Sequence, residues 1–239
     1  MDMARILQAA WLVLAASLLS GCEALIGLGD ASYRFRMTVE VETPEGLKRG
    51  SSVYEVTAGR RTAFLPQMRS SEIKSKGEAV AIDIAPGRTL FALLKNSTPS
   101  GTMAELSMTT LDKGFGTSHR AMVSTAEELE ARDADGSPAV VDPEFYPILV
   151  TFGDPADPAS VTKVDPDDLA ATFGEGVKLN RITIELTDDP VTTGINKRLG
   201  WLSNYFDKML DGNSNQTIRA TDRFANSLTQ GDFSKGILQ

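Results

Sequence analysis

The chain of 239 residues has one cysteine, Cys22, and one histidine, His119. With no second cysteine, an intrachain disulfide is excluded, as are thiolate metal sites and a cysteine nucleophile after position 22. General-base chemistry, which most often uses histidine, is left with a single imidazole. Basic residues are also scarce: 24 Lys and Arg stand against 32 Asp and Glu, giving a formal charge of -8. An acidic surface repels phosphate backbones and anionic headgroups, which argues against nucleic-acid binding and against a broad electrostatic membrane face. The pairs Lys48-Arg49 and Arg60-Arg61 sit among turn residues and read as solvated loop charge. Catalytic motifs are missing as well. The sequence has no Gly-x-Ser-x-Gly elbow, no supported Ser-x-x-Lys, no His-Glu-x-x-His and no phosphate-cradling glycine loop.

What is present begins at the N-terminus. Residues 6–19 are apolar apart from Gln8 and Ser17. That run has the length of a secretory apolar region and falls short of the ~20 residues of a membrane-spanning helix. The basic flank is weak, because Asp2 offsets Arg5, and Met3 offers a second start. The run closes on Leu19-Ser20-Gly21-Cys22. This segment resembles the lipobox of bacterial lipoproteins: a branched apolar residue, a small residue, Gly or Ala, then Cys. The resemblance implies cleavage before Cys22, diacylation of its thiol and acylation of the new amino group. Two or three chains, at ~0.8 kcal/mol per buried CH2, anchor stably where one would be marginal. The resemblance also places the chain in the cell envelope. Glu23, rather than the Asp that retains lipoproteins in the inner membrane, points to the periplasmic face of the outer membrane. The expected organisation is a signal peptide over 1–21, a tether over 22–31 and one globular domain over 32–239.

In the mature chain, Tyr33, Phe35, Met37, Val39 and Val41 alternate with Arg34, Arg36, Thr38, Glu40 and Glu42. Period two puts the apolar set on one face of a half-buried antiparallel strand. Pro44-Glu45-Gly46 turns the chain into a partner strand over 51–57. A second hairpin is expected over 79–94, turning at Pro86-Gly87, with further strands over 146–152 and 182–186. Helices are expected from the capping box Ser124-Thr125-Ala126-Glu127 to about Arg132, and from Asp165 and Pro166 to Gly174. Ile195, Leu199, Leu202, Tyr205, Phe206, Met209 and Leu210 share one face at helical spacing, which predicts a long amphipathic helix over 195–210. Three Asp-Pro steps mark 153–168 as a loop or linker. The stretch 165–185 resembles segments of uncharacterised bacterial proteins, a similarity that carries no activity. The expected fold class is therefore α+β, a predominantly antiparallel β-sheet of about six or seven strands with two or three helices, the long amphipathic one near the C-terminus.

Candidate chemistry is sparse. His119 follows Ser118 in a Gly-containing stretch and reads as an exposed loop histidine. Asp133-Ala134-Asp135-Gly136 has part of a calcium loop but lacks a third ligand before the Gly and a closing bidentate Glu. Asp154, Asp157, Asp165, Asp167 and Asp168 read as turn and capping residues. Trp201, Tyr205 and Phe206 either pack in the core or present an aromatic face to a partner. No cofactor or metal is expected. The sequence thus points to a non-enzymatic binding or interaction module, held to the membrane through Cys22 and able to meet an envelope protein partner. The alternatives are an envelope hydrolase using two carboxylates across a cleft, and a calcium-stabilised module.

Overall fold

A computed structural model describes residues 30–60, 71–98 and 101–236. Cys22, the expected signal peptide over 1–21 and most of the expected tether over 22–31 lie outside the described residues.

The alternation read in the sequence forms β1 (Ala31–Thr43), which pairs along its whole length with β2 (Gly46–Arg60). β3 (Ser71–Glu78) adds to β2, and after Ala79 the chain enters β4 (Val80–Ala85) of a second sheet. The turn at Pro86-Gly87, with Gly87 at φ +72°, leads into β5 (Arg88–Asn96). Two helices follow, α1 (Met103–Leu111) and α2 (His119–Glu130). Then come β6 (Ala139–Val140), β7 (Pro147–Phe152), β8 (Val161–Val164), the short α3 (Leu169–Phe173), β9 (Lys178–Leu186) and β10 (Ser234–Lys235). The first sheet runs β10-β3-β2-β1-β9-β6 and the second β4-β5-β7-β8, with every pair antiparallel.

The inner face of the first sheet carries Tyr33, Phe35, Met37, Val39 and Val41, all buried. Phe35 stacks on Tyr54 of β2 at 5.0 Å between ring centroids. α1 and α2 cover one end of this face: the Tyr33 hydroxyl meets Ser107 Oγ at 2.7 Å, and Glu130 Oε1 accepts from Ser32 N at 3.0 Å. The second sheet covers the other end. There Gly50 permits the close approach, since a Cβ would lie 2.5 Å from Ile82 Cγ1 and 2.6 Å from Ala81 O.

The α+β expectation is overturned. The described residues form ten strands in two sheets and only three α-helices, of which α3 has five residues. The long helix over 195–210 does not exist; its place is taken by short 3-10 turns at Ile195–Lys197 and Leu202–Asn204. Of its apolar residues, Ile195, Leu199, Leu202 and Leu210 are buried, Tyr205 and Met209 are half-buried, and Phe206 is exposed. A spacing of three and four suits a chain of tight turns as well as a helix, and Gly200, Ser203 and Asn204 are weak helix formers. Polar groups also leave the helical pattern: Arg198 grips Asp83, and Trp201 Nε1 donates to Pro155 O at 3.1 Å.

Two smaller expectations change too. α2 begins at His119, five residues before the capping box, because Ser118 Oγ already accepts from Ala121 N at 3.2 Å. The 153–168 stretch is not a bare loop, since it contains β8 with Val161 and Val164 buried. Trp201 and Phe233 pack on the second sheet, where Phe233 meets Phe152 and Trp201 at 5.7 Å and Phe91 at 6.3 Å.

Candidate functional site

The polar set of β1 points away from the core. Its side chains pair across strands as charged neighbours on an antiparallel sheet do. Arg34 Nε lies 3.3 Å from Glu55 Oε2 of β2, and Arg36 Nε lies 3.4 Å from Glu185 Oε1 of β9. Farther along, Glu40 is buried at 5% exposure and takes Arg49 Nε at 2.7 Å, Arg181 Nε at 2.8 Å and Asn180 Nδ2 at 3.0 Å. The Arg181 guanidinium, with help from Arg49, holds the Glu40 carboxyl below the usual carboxylate range against the opposing effect of burial.

Residues 187–194 leave β9 and cross this outer face as a strap. Thr187 N donates to Arg34 O at 3.1 Å. Arg34 Nη1 then donates to the carbonyls of Asp188 and Asp189 at 3.0 and 3.3 Å, and Arg36 pairs with the Asp189 carboxylate. Over β2, Thr192 Oγ1 accepts from Val53 N at 2.9 Å while Thr192 N donates to Val53 O at 3.2 Å. The strap ends where Ile195 N donates to the buried Glu78 carboxylate at 2.9 Å.

A cleft opens on each side of the strap, and Arg34 lines both. One, of about 240 Å³, is walled by Ser32, Arg34, Glu130, Arg132 and Asp188. The other, of about 410 Å³, is walled by Arg34, Glu55, Lys76, Pro190, Val191 and Thr193. Both present guanidinium or ammonium donors beside carboxylate acceptors, with strap backbone between them. Such walls suit a polar, charge-bearing partner segment and offer little to an apolar small molecule.

The residues singled out in the sequence fall elsewhere. Trp201 is 9% exposed and belongs to the aromatic cluster on the second sheet, edge-on to Tyr205 at 5.5 Å. Phe206 is 61% exposed and shares none of these ring contacts, so the three side chains do not form one face. A hollow of about 430 Å³ reaches Trp201 past Arg198 and Asp154. His119 is the first residue of α2, and its neighbour Ser118 is used as the helix cap. Asp135 Oδ1 accepts from Ser137 N, as a turn residue does. Asp154, Asp157, Asp165 and Asp168 each accept a backbone N–H two or three residues ahead. Among the described residues, no three His, Cys, Asp or Glu side chains form a metal-binding group.

Sequence reasoning missed the strap. Arg34 and Arg36 were visible as the polar side of β1, but nothing in Asp188-Asp189-Pro190 announces where that segment lies. Compared with known proteins, the chain matches no family model, no curated protein and no solved structure.

Proposed function

We propose that the chain is a lipid-anchored protein of the bacterial cell envelope that works as a binding or interaction module, without catalysis of its own. The lipobox Leu19-Ser20-Gly21-Cys22 behind its apolar run is the observation that carries the anchoring. Acyl chains on Cys22 tether the folded body, whose β1 starts at Ala31, to the periplasmic face of the outer membrane. The strap face supports the binding role: its two clefts join paired charges to exposed backbone, the composition of a polar recognition surface. An envelope protein partner is the expected occupant.

Growth with a radiolabelled fatty acid tests the anchor. Wild-type protein takes up label and sediments with membranes, and Cys22→Ser loses both. Continued membrane retention of Cys22→Ser overturns the lipid anchor. For binding, a photo-crosslinking residue at exposed Thr193 should give one discrete adduct in intact envelopes, reduced by Arg34→Ala. No adduct at Thr193, with the protein folded and anchored, overturns the strap face as the binding surface.

One observation favours a second reading, the carboxylate-dependent hydrolase: Glu130 and Asp188 line the same 240 Å³ cleft. Glu130 Oε1 is engaged by Ser32 N. On this reading Glu130→Gln and Asp188→Asn each abolish turnover of an envelope polymer, and unchanged turnover in both removes the pair from the chemistry.

A further inference from the structure

Residues 211–222 carry oxygen-bearing side chains at alternate positions. Asp211, Asn213 and Asn215 occupy the first, third and fifth places, Thr217 the seventh, Ile218 the eighth and Asp222 the twelfth. Oxygen ligands at one, three, five, seven and twelve are the pattern of a helix-flanked calcium loop. The chain departs from it twice, with Gln216 where the sixth place needs Gly and Asp222 where the twelfth has a bidentate Glu.

In the fold the middle of this loop is filled. Asn226 is 1% exposed, and its side-chain nitrogen donates to Asp211 Oδ1 at 3.1 Å and to Asn215 O at 3.2 Å. Its side-chain oxygen accepts from Thr217 N. The carboxylate of the first place and the backbone carbonyl of the fifth thus converge on one N–H donor, where a calcium loop would turn its side-chain oxygens onto a cation. Asn213 closes the rest, donating from N and Nδ2 to the two Asp211 oxygens at 3.0 and 2.6 Å. The twelfth residue is turned to other work, since Asp222 Oδ1 accepts from Phe224 N and Ala225 N. Burial opposes ionisation of Asp211, but the donors from Asn226 and Asn213 outweigh it and hold that carboxyl below its usual range.

We infer that the Asn226 amide is a built-in substitute for a cation, so that the 211–222 loop closes without metal. An amide supplies two directed N–H donors and no net charge. It also keeps a side-chain oxygen to hold Thr217, which an ion would not do. Replacing that amide by a carboxylate sets a second negative oxygen beside Asp211 and restores the need for a cation.

Thermal unfolding of the purified full chain tests this, in millimolar calcium and in chelator. The wild-type Tm is the same in both; a Tm raised by calcium overturns the inference, because the loop would then be a metal site. Asn226→Asp should lose several degrees in chelator and regain them in calcium, with binding of roughly millimolar strength. An Asn226→Asp protein that folds but ignores calcium also overturns it. Adding Asp211→Asn to Asn226→Asp should abolish the calcium response, and a response that survives places the cation elsewhere. The wild-type comparison stands even where Asn226→Asp does not fold.

Discussion

The two ends of the described chain bury apolar side chains by different means. From Ala31 to Arg60 the two strands pair in one continuous ladder, and successive side chains point to opposite faces. From Ile195 to Lys235 the only regular elements are short turns and a two-residue strand, yet Leu199, Leu202, Leu210, Leu228 and Phe233 are fully buried. There the backbone depends on side chains: Asp211, Asn226, Asp222 and Asp232 satisfy N–H groups that a ladder would otherwise take. Regular hydrogen bonding is therefore not a condition for burial. What burial favours is that backbone N–H and C=O groups find partners, and an irregular segment recruits Asp and Asn to supply them.

The largest effects come from the aromatic centres of the two regions. Phe35→Ala and Phe233→Ala each remove a fully buried ring and should each cost about 3–5 kcal/mol in denaturant unfolding. If the halves form one cooperative unit, both variants shift a single transition. Separate transitions after Phe233→Ala would divide the comparison into two independently stable bodies.

Glu40 comes next. Its carboxylate is buried, but Arg49 and Arg181 are 60% and 52% exposed, so water recovers much of what they lose. Glu40→Gln should therefore cost about 2 kcal/mol at neutral pH, less than a fully buried pair would. The folded-state pKa of Glu40 is lowered, so its contribution is complete above the ordinary glutamate value of about 4.3. It is lost as pH falls through the lower folded-state value. Wild type and Glu40→Gln should converge in acid, and a gap that stays constant with pH would show that the charge is not the source.

Thr192→Val removes the hydroxyl that accepts from Val53 N and should cost about 1 kcal/mol. The change should appear as faster amide exchange at Val53 while β1 protection is retained, because the N–H and C=O of Val53 are taken by Thr192 and not by β1. The smallest effect is expected at Asp83. Arg198 holds its carboxyl below the usual range through paired hydrogen bonds, but both side chains are about half exposed. Asp83→Asn should cost about 0.2–1 kcal/mol and lose its effect in high salt.

One hairpin in each sheet was legible. Tyr33 to Val41 declared their face because a pleated strand has period two, and the Pro44-Glu45-Gly46 and Pro86-Gly87 turns set the hairpins. β3 was not legible: it reads Ser-Glu-Ile-Lys-Ser-Lys-Gly-Glu, with one apolar side chain, and is held by its pairing with β2 and β10. The 195–210 stretch was misread because apolar spacing reports which residues are buried, and several backbone paths bury the same set. The strap face was invisible for another reason: Arg34 and the carbonyls it holds are 154 and 155 positions apart, and no local pattern spans that distance.

The sequence by itself determined the Cys22 motif, the limit of one thiol and one imidazole, and the two faces of β1. Each of these is a local property, set by residue identity or by the pleat of a single strand. Only the tertiary structure decided that the polar face of β1 would be crossed by 187–194, and that Asn226 would sit inside the 211–222 loop. Both depend on hydrogen bonds whose geometry exists only after distant or folded-back segments have been brought together, and the packing of the apolar core does that.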